Sequence, residues 1–235
     1  MARTPMAPDA ALSLDTAFSD TEKTGAMLLF FKADHYFCWD VARDAMVAGY
    51  PRKISRDWPG LLQAAPGKRL RGAVHVAAWG PIVFFLFEGD RHALPWDMRT
   101  KAVGNAIPIQ DLLPSRLTQG DFTPVLAKTT GREDVVYAFS GEEYTRWTVH
   151  SSFPEKEDEG FPRRIDCDWK DGLVLAPRSG LYVDWPSRSS AHSNRKLYFF
   201  MEDLYLRWDV PSHTRNYRLD IVSGWKGWPA MPSEA

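Results

Sequence analysis

The sequence predicts an all-β fold, a four-bladed β-propeller in which four-stranded antiparallel blades surround a central channel. Three observations carry this prediction: a recurring aromatic hairpin that ends in tryptophan, a second segment that follows it at fixed spacing, and apolar residues that alternate with polar ones. Units that repeat every ~50 to 60 residues are typical of arrays in which each unit packs on its neighbours. Four such units close a ring with few exposed strand edges.

The first half of each repeat is predicted to be a strand hairpin. An acidic residue stands five positions before a tryptophan in three copies, and apolar runs flank the short turn between them, which is the pattern of a β-hairpin. These copies occupy 30–40, 138–147 and 199–208, and a diverged copy with one extra residue occupies 83–97. A shorter inner strand is predicted before each hairpin, at 9–12, 74–78, 123–127 and 181–185.

The second half of each repeat is predicted to be an outer strand or turn followed by one short helical turn. An aromatic residue precedes a tryptophan by eight positions in 50–58, 161–169 and 217–225, and the weak second copy at 105–108 has no such tryptophan. The units divide a single domain, 1–235, into blades at about 8–62, 70–117, 120–173 and 179–229.

Composition narrows the classes of partner. Lys plus Arg number 29 against 30 for Asp plus Glu, so no net field attracts nucleic acid or an anionic membrane. No apolar run is long enough to span a membrane, and the N-terminus leads into no hydrophobic signal core. We therefore expect a cytoplasmic monomer or homodimer. Cys38 and Cys167 occupy unlike places in the repeat and are expected to be buried free thiols.

The residues carry a family resemblance. Trp39-Asp40, then Gly49-Tyr50-Pro51-Arg52-Lys53-Ile54 and Trp58-Pro59-Gly60-Leu61, resemble the hemopexin repeat, and the resemblance extends from about Asp9 to Pro229. The family includes haem and metal binders, protease exosite domains, seed albumins, lectins and a few fungal cofactor-free hetero-Diels–Alder catalysts. The chain departs from the family pattern twice. The fourth unit has no cysteine for a ring-closing disulfide, and only Asp9 matches the Asp-Ala that supplies oxygen ligands to an axial cation.

Common catalytic and metal motifs do not appear in the sequence. The six histidines have no metal-ligand spacing and no CxxC element accompanies them, so no metal site is predicted. An axial ion would depend on backbone carbonyls. The sequence also lacks a phosphate loop, a nucleophile elbow and a pair of catalytic carboxylates. The acidic run 155–159 is predicted to be a solvated loop.

Segments that interrupt the repeat are the best candidates for function, because blade packing does not explain them. The connections leaving the inner strands should rim a funnel over the axis with aromatic and cationic side chains, namely Trp79, Lys128, Arg132, Trp185, Arg188 and His192. Inner-strand residues should line it, namely His75, Val76, Tyr182, Val183 and Asp184. Aromatic walls with a few polar groups are typical of small-molecule pockets. The alternative is that Trp79 and Trp185 only cap the inner strands.

Two classes of function fit this funnel, and neither requires a cofactor. A pericyclase resembling the fungal catalysts would hold its reactants in a reactive geometry. Lys128, Arg132, Arg188, Tyr182 or His75 would then donate to a developing oxyanion. A non-catalytic binder of haem, polyamine, sugar or metal would depend most on Asp9, Asp184 and His75. In either class the expected partner is a small molecule, apolar or aromatic.

Overall fold

Four antiparallel sheets of consecutive strands form the predicted four-bladed β-propeller. The computed structural model describes residues 6–14, 27–128, 133–150, 154–169, 172–185, 194–210, 214–225 and 227–228, without the side chains of 214–217. In blade 1 the strands are β1 (Ala10–Leu14), β2 (Met27–Lys32), β3 (His35–Asp40), β4 (Ala45–Met46) and β5 (Arg52–Lys53). In blade 2 they are β6 (Leu70–His75), β7 (Ile82–Phe87), β8 (His92–Asp97), β9 (Ala102–Val103) and β10 (Ile107–Pro108).

The other two blades have one outer strand each. In blade 3 the strands are β11 (Thr123–Lys128), β12 (Asp134–Ser140), β13 (Glu143–Thr148) and β14 (Arg163–Arg164). In blade 4 they are β15 (Ser179–Asp184), β16 (Arg195–Met201), β17 (Leu204–Asp209) and β18 (Thr214–Asp220). One helical turn follows the outer strand of each blade, α1 (Ile54–Asp57), α2 (Ile109–Leu112), α3 (Ile165–Asp168) and α4 (Ile221–Gly224). None of the helices among the described residues is long and apolar enough to cross a membrane.

The first strand of every blade is the innermost strand. Around the ring, β1 contacts β6, β6 contacts β11, β11 contacts β15, and β15 contacts β1. Each also pairs antiparallel with the second strand of its own blade. The four inner strands therefore surround the axis, and their last residues meet at one end of the channel.

The hydrophobic core lies between the blades as four clusters, one for each pair of neighbours. In three of them the tryptophan that follows a helical turn packs on the hairpin tryptophan of the next blade. The pairs are Trp58 with Trp96, Trp169 with Trp208, and Trp225 with Trp39, with ring centroids 4.5, 5.3 and 5.0 Å apart. Where the second repeat lacks its tryptophan, Leu112 and Leu113 share a cluster with Trp147.

Ion pairs and hydrogen bonds add to packing where the first and last blades meet. Asp9 accepts from Lys32 Nζ at 3.1 Å and from Arg178 Nη2 at 2.6 Å. Ser179 Oγ donates to the Pro8 carbonyl at 2.9 Å. The side chains of Asp9 and Lys32 are each only 1% exposed. The ring therefore closes through a buried charge cluster as well as apolar contacts, and both cysteines are free.

The inner strand of blade 2 differs from its predicted position. It begins at Leu70 and ends at His75, and the predicted strand residues Ala77 and Ala78 form a 3-10 turn with Trp79. The register shifts between Leu70 and Gly72, because a β-bulge there adds a residue and breaks the alternating pattern.

The acidic run in blade 3 is only partly solvated: Lys156 and Glu159 are exposed, but the prediction of a solvated loop was wrong for Glu155 and Asp158. Glu155 is 1% exposed. Asp158 accepts from Arg146 Nε at 2.5 Å and from the Thr148 N–H at 2.9 Å, while its own N–H donates to the Arg146 carbonyl. The run therefore covers the outer edge of β13, beyond the part that β14 pairs. Cys167 is also exposed rather than buried.

Candidate functional site

A cavity of about 350 Å³ occupies the end of the axial channel where the inner strands finish. All four inner strands contribute to its lining, which reaches from Ala11 and Gly180 near the starts of β1 and β15 to Lys128 and Asp184 at the ends of β11 and β15. Its apolar wall is formed by Ala11, Leu12, Ala73, Leu126 and Leu181. The ring of blades therefore creates one concave site on the axis.

Small residues keep this part of the channel open and allow close strand contact. Gly180 lines the cavity. A Cβ at that position would lie 2.9 Å from a Val125 side-chain carbon and 3.0 Å from the Tyr198 carbonyl oxygen. A larger residue would collide with β11 and β16, so glycine is required by the close approach of these neighbouring strands.

Two buried polar side chains, a histidine and a tyrosine, stand in the wall. His75 ends β6 and is 4% exposed, and Tyr182 lies in β15 and is 6% exposed. Both line the cavity. A neutral imidazole can donate at one nitrogen and accept at the other, and a phenol can do both at one oxygen. The wall can therefore orient a polar group of a ligand.

Charged side chains of opposite sign stand at the ends of β11 and β15. Lys128 ends β11, and its Nζ lies 3.0 Å from Oδ1 of Asp134, the first residue of β12. Asp184 ends β15 and is the register partner of Arg195, the first residue of β16. All four line the cavity. In both blades a charged residue ends the inner strand and pairs with an oppositely charged residue that begins the second strand. The inner strand carries the cation in blade 3 and the anion in blade 4.

Comparison with known proteins agrees with this architecture. The hemopexin family model matches residues 14–62. Over 104 residues the chain is 30% identical to matrix metalloproteinase-21 of Mus musculus and 28% identical to that of Homo sapiens. Each alignment covers 44% of this chain and 18% of the protease, so the match spans less than a fifth of these curated relatives.

Solved structures match nearly the whole chain. The hemopexin fold protein CP4 from cow pea has a TM-score of 0.63 at 16% identity, covering 93% of this chain and 96% of that one. The seed albumin LS24 from Lathyrus sativus has a TM-score of 0.59 at 18% identity, covering 95% and 96%. A plant lectin with two metal binding sites from Cicer arietinum has a TM-score of 0.60 at 14% identity, covering 92% and 94%. The chain therefore has a hemopexin-like propeller fold. At these identities the likeness shows the fold alone, and function must be argued from the site.

The hemopexin-like propeller brings four of the predicted site residues together, His75, Lys128, Tyr182 and Asp184. Asp134 and Arg195, which the sequence analysis did not single out, complete the charged rim. The sequence could have indicated them, because each begins the second strand of its blade. Each also pairs with a residue of opposite charge at the end of the inner strand, Asp134 with Lys128 and Arg195 with Asp184. Arg132, Arg188 and His192 lie outside the described residues.

The two predicted rim tryptophans pack between blades, away from the cavity lining. Trp79 Nε1 donates to Glu155 Oε1 at 3.0 Å, and its ring packs on Phe84. Trp185 Nε1 donates to the Tyr198 hydroxyl at 2.9 Å. This placement agrees with the alternative that both rings cap the inner strands.

Val76 and Val183 also belong to inter-blade clusters rather than to the cavity lining. The contribution of these two valines and the two tryptophans to ligand binding stays a prediction.

Among the described residues, no group of three or more His, Cys, Asp or Glu side chains is arranged to hold a metal ion. At the other end of the channel, Asp9 directs its carboxylate to Lys32 and Arg178. The protein's own cations therefore neutralise the acidic residue that matches the axial-cation pattern.

Proposed function

We propose that this hemopexin-like propeller binds a small molecule at the end of its axial channel. The observation that carries the proposal is the cavity of about 350 Å³ lined by all four blades. Its volume falls within the range of ~300 to 1,000 Å³ that is usual for ligand pockets, which combine apolar walls with a few polar groups.

The lining indicates how a ligand would be held. An apolar or aromatic body would contact Leu12, Leu126 and Leu181, and a polar group would face His75 and Tyr182. The ligand would gain affinity from the apolar area that it removes from water and orientation from the polar contacts. No bound cofactor is required for this function. The free thiols support a cytoplasmic location, and the balanced charge of the chain argues against nucleic acid or a membrane as partner.

Catalysis at the same site is the finer proposal, a cofactor-free hetero-Diels–Alder cycloaddition in natural-product biosynthesis. The observation that supports it is the placement of His75 and Tyr182, both more than nine-tenths buried, in the cavity wall. A cavity that holds both reacting ends of a substrate lowers the entropic part of the barrier. A buried N–H or O–H donor stabilises negative charge that develops on a substrate oxygen. The alternative is a non-catalytic binder of haem, polyamine, sugar or metal.

Two neighbouring alanines provide a matched test of the binding site. Ala77 and Ala78 are both exposed and lie in the same 3-10 turn, but only Ala77 lines the cavity. Fragments that raise the melting temperature of the parent protein should bind at least ~10-fold more weakly to Ala77→Trp, a loss of about 1.4 kcal/mol. They should bind Ala78→Trp as they bind the parent. If the fragments bind Ala77→Trp as tightly as they bind Ala78→Trp and the parent, the ligand binds outside the cavity and the proposal is refuted.

Catalysis has its own readout. Tyr182→Phe keeps the ring but removes the hydroxyl, so for a cycloaddition it should lower kcat more than it raises KM. A substrate bound at this cavity whose turnover is the same in Tyr182→Phe and His75→Gln as in the parent would contradict the catalytic proposal. The binding proposal would stand.

A further inference from the structure

The charged groups around the cavity have a balanced and alternating arrangement. On the inner strands, Lys128 of β11 and Asp184 of β15 place a cation and an anion at the ends of neighbouring strands. Behind them, Asp134 and Arg195 carry the opposite signs. These four side chains sum to zero net charge while presenting both signs to the cavity.

This arrangement disfavours a ligand with one charge. A carboxylate drawn to Lys128 meets the carboxylates of Asp134 and Asp184, and an ammonium drawn to Asp184 meets Lys128 and Arg195. Placing like charges side by side costs binding energy and excludes such partners. A ligand that carries both charges can match both inner-strand groups at once.

Both inner-strand groups are accessible to a ligand. The Lys128 side chain is 37% exposed, and its ammonium has three donors, so it can donate to Asp134 and to a ligand carboxylate at the same time. Asp184 is exposed. The cavity wall also contains the apolar residues Leu12, Leu126 and Leu181, beside His75 and Tyr182. A fitting ligand therefore has its two charges at one end and an apolar body at the other.

We propose that the cavity takes a zwitterion of this kind, with an ammonium and a carboxylate on the same carbon atom and an apolar side group. The inference rests on the proposed binding function and names the ligand class of the same site. The ligand carboxylate contacts Lys128, the ligand ammonium contacts Asp184, and the side group lies against the leucines.

Four related compounds test the ligand class by isothermal titration calorimetry. L-phenylalanine carries both charges, 3-phenylpropionate only the carboxylate, 2-phenylethylamine only the ammonium, and 2-phenylethanol neither. L-phenylalanine should bind at least ~10-fold more tightly than each of the others, a difference of about 1.4 kcal/mol.

Two variants assign each ligand charge to its protein partner. In Lys128→Met, L-phenylalanine should no longer bind more tightly than 2-phenylethylamine, which lacks the carboxylate. In Asp184→Asn, L-phenylalanine should no longer bind more tightly than 3-phenylpropionate, which lacks the ammonium. The matched controls Lys53→Met and Asp111→Asn change exposed residues that do not line the cavity, and they should keep the parent's preferences. A loss of affinity from mere unfolding would affect all four compounds together.

The possible failures separate the inference from the function on which it rests. If 2-phenylethanol or a singly charged analogue binds as tightly as L-phenylalanine, and Ala77→Trp blocks that binding, the zwitterion inference is wrong and the proposed site stands. If L-phenylalanine binds equally to Ala77→Trp and the parent, it binds outside the cavity and the inference is also wrong. Failure of all four compounds to bind at about 10 mM, which limits any affinity to about 3 kcal/mol, would likewise overturn it.

Discussion

Replacing Asp9 by Asn should strongly destabilise the propeller, because Asp9 is the anion of the buried cluster that joins the first and last blades. The side chains of Asp9 and Lys32 are each 1% exposed, and Arg178 lies 2.6 Å from the same carboxylate oxygen. Removing the carboxylate takes the negative charge of Asp9 away from the buried Lys32 ammonium, and the Ala7 carbonyl that accepts from Lys32 Nζ at 3.0 Å carries no full charge to replace it. Breaking one side of a buried ion pair costs about 3 to 5 kcal/mol.

A double-mutant cycle with Lys32→Met measures the coupling in the same cluster. Because the second substitution removes the stranded charge, Asp9→Asn with Lys32→Met should be less destabilised than the sum of the single variants by at least ~1 kcal/mol. Arg178→Gln should cost less than Asp9→Asn, since Arg178 is 23% exposed and Asp9 would keep Lys32. The assay is equilibrium unfolding in urea. A cost below about 1 kcal/mol for Asp9→Asn, or additive single effects, would refute the reasoning that this buried cluster holds the ring closed.

Three further predictions concern stability. Trp208→Ala should lower the free energy of unfolding in urea by about 3 to 5 kcal/mol, because it leaves a cavity at a buried site. Trp185 is only half-buried, so Trp185→Ala should lower it clearly less. Equal losses would show that Trp185 is as important to the core as Trp208. Burial raises the pKa of Tyr36 and Tyr144 above the ordinary tyrosine range. The folded state therefore holds their protons longer than the unfolded state, so stability is full below pH ~10 and falls above it by no more than ~1.4 kcal/mol per pH unit for each tyrosine. Phe substitutions at the two positions should reduce this fall, and unchanged pH curves would contradict the assignment. Finally, neither a chelator nor a reductant should shift the melting temperature; a drop of more than about 10 °C, or roughly 2 to 4 kcal/mol, would indicate a structural metal or disulfide.

The parts of the fold that depend on local pattern were predictable from the sequence. The hairpins around Asp34, Glu142 and Asp203 were predicted because acidic turns separate alternating strands. The tryptophans recur because each one fills the same place between two blades. The four-bladed propeller is confirmed for these reasons.

The features that were missed depend on contacts between distant residues. Glu155 is buried because it accepts from Trp79, 76 positions away in the sequence, and an isolated acidic run gives no sign of such a partner. The β6 bulge brings Gly72 so close to blade 3 that a Cβ there would lie 2.5 Å from Pro124. Packing between blades, rather than local alternation, fixes that strand.

The candidate site was predictable in part. The inner strands were expected to meet at the axis, and this placed His75, Lys128, Tyr182 and Asp184 around one cavity. The expected rim aromatics Trp79 and Trp185 instead satisfy their indole N–H groups between blades. A tryptophan beside an inner strand can face either the axis or the neighbouring blade, and the sequence does not distinguish these orientations.

A crystal structure with a bound small molecule tests the central claim most directly. The tightest compound from the fragment screen should be used, with crystals of the parent and of Ala77→Trp. We expect ligand density on the axis, between His75, Tyr182 and the Lys128 ammonium, and we expect that density to be lost in the variant. Density confined to the outer edges of the blades, or unchanged in Ala77→Trp, would contradict the account.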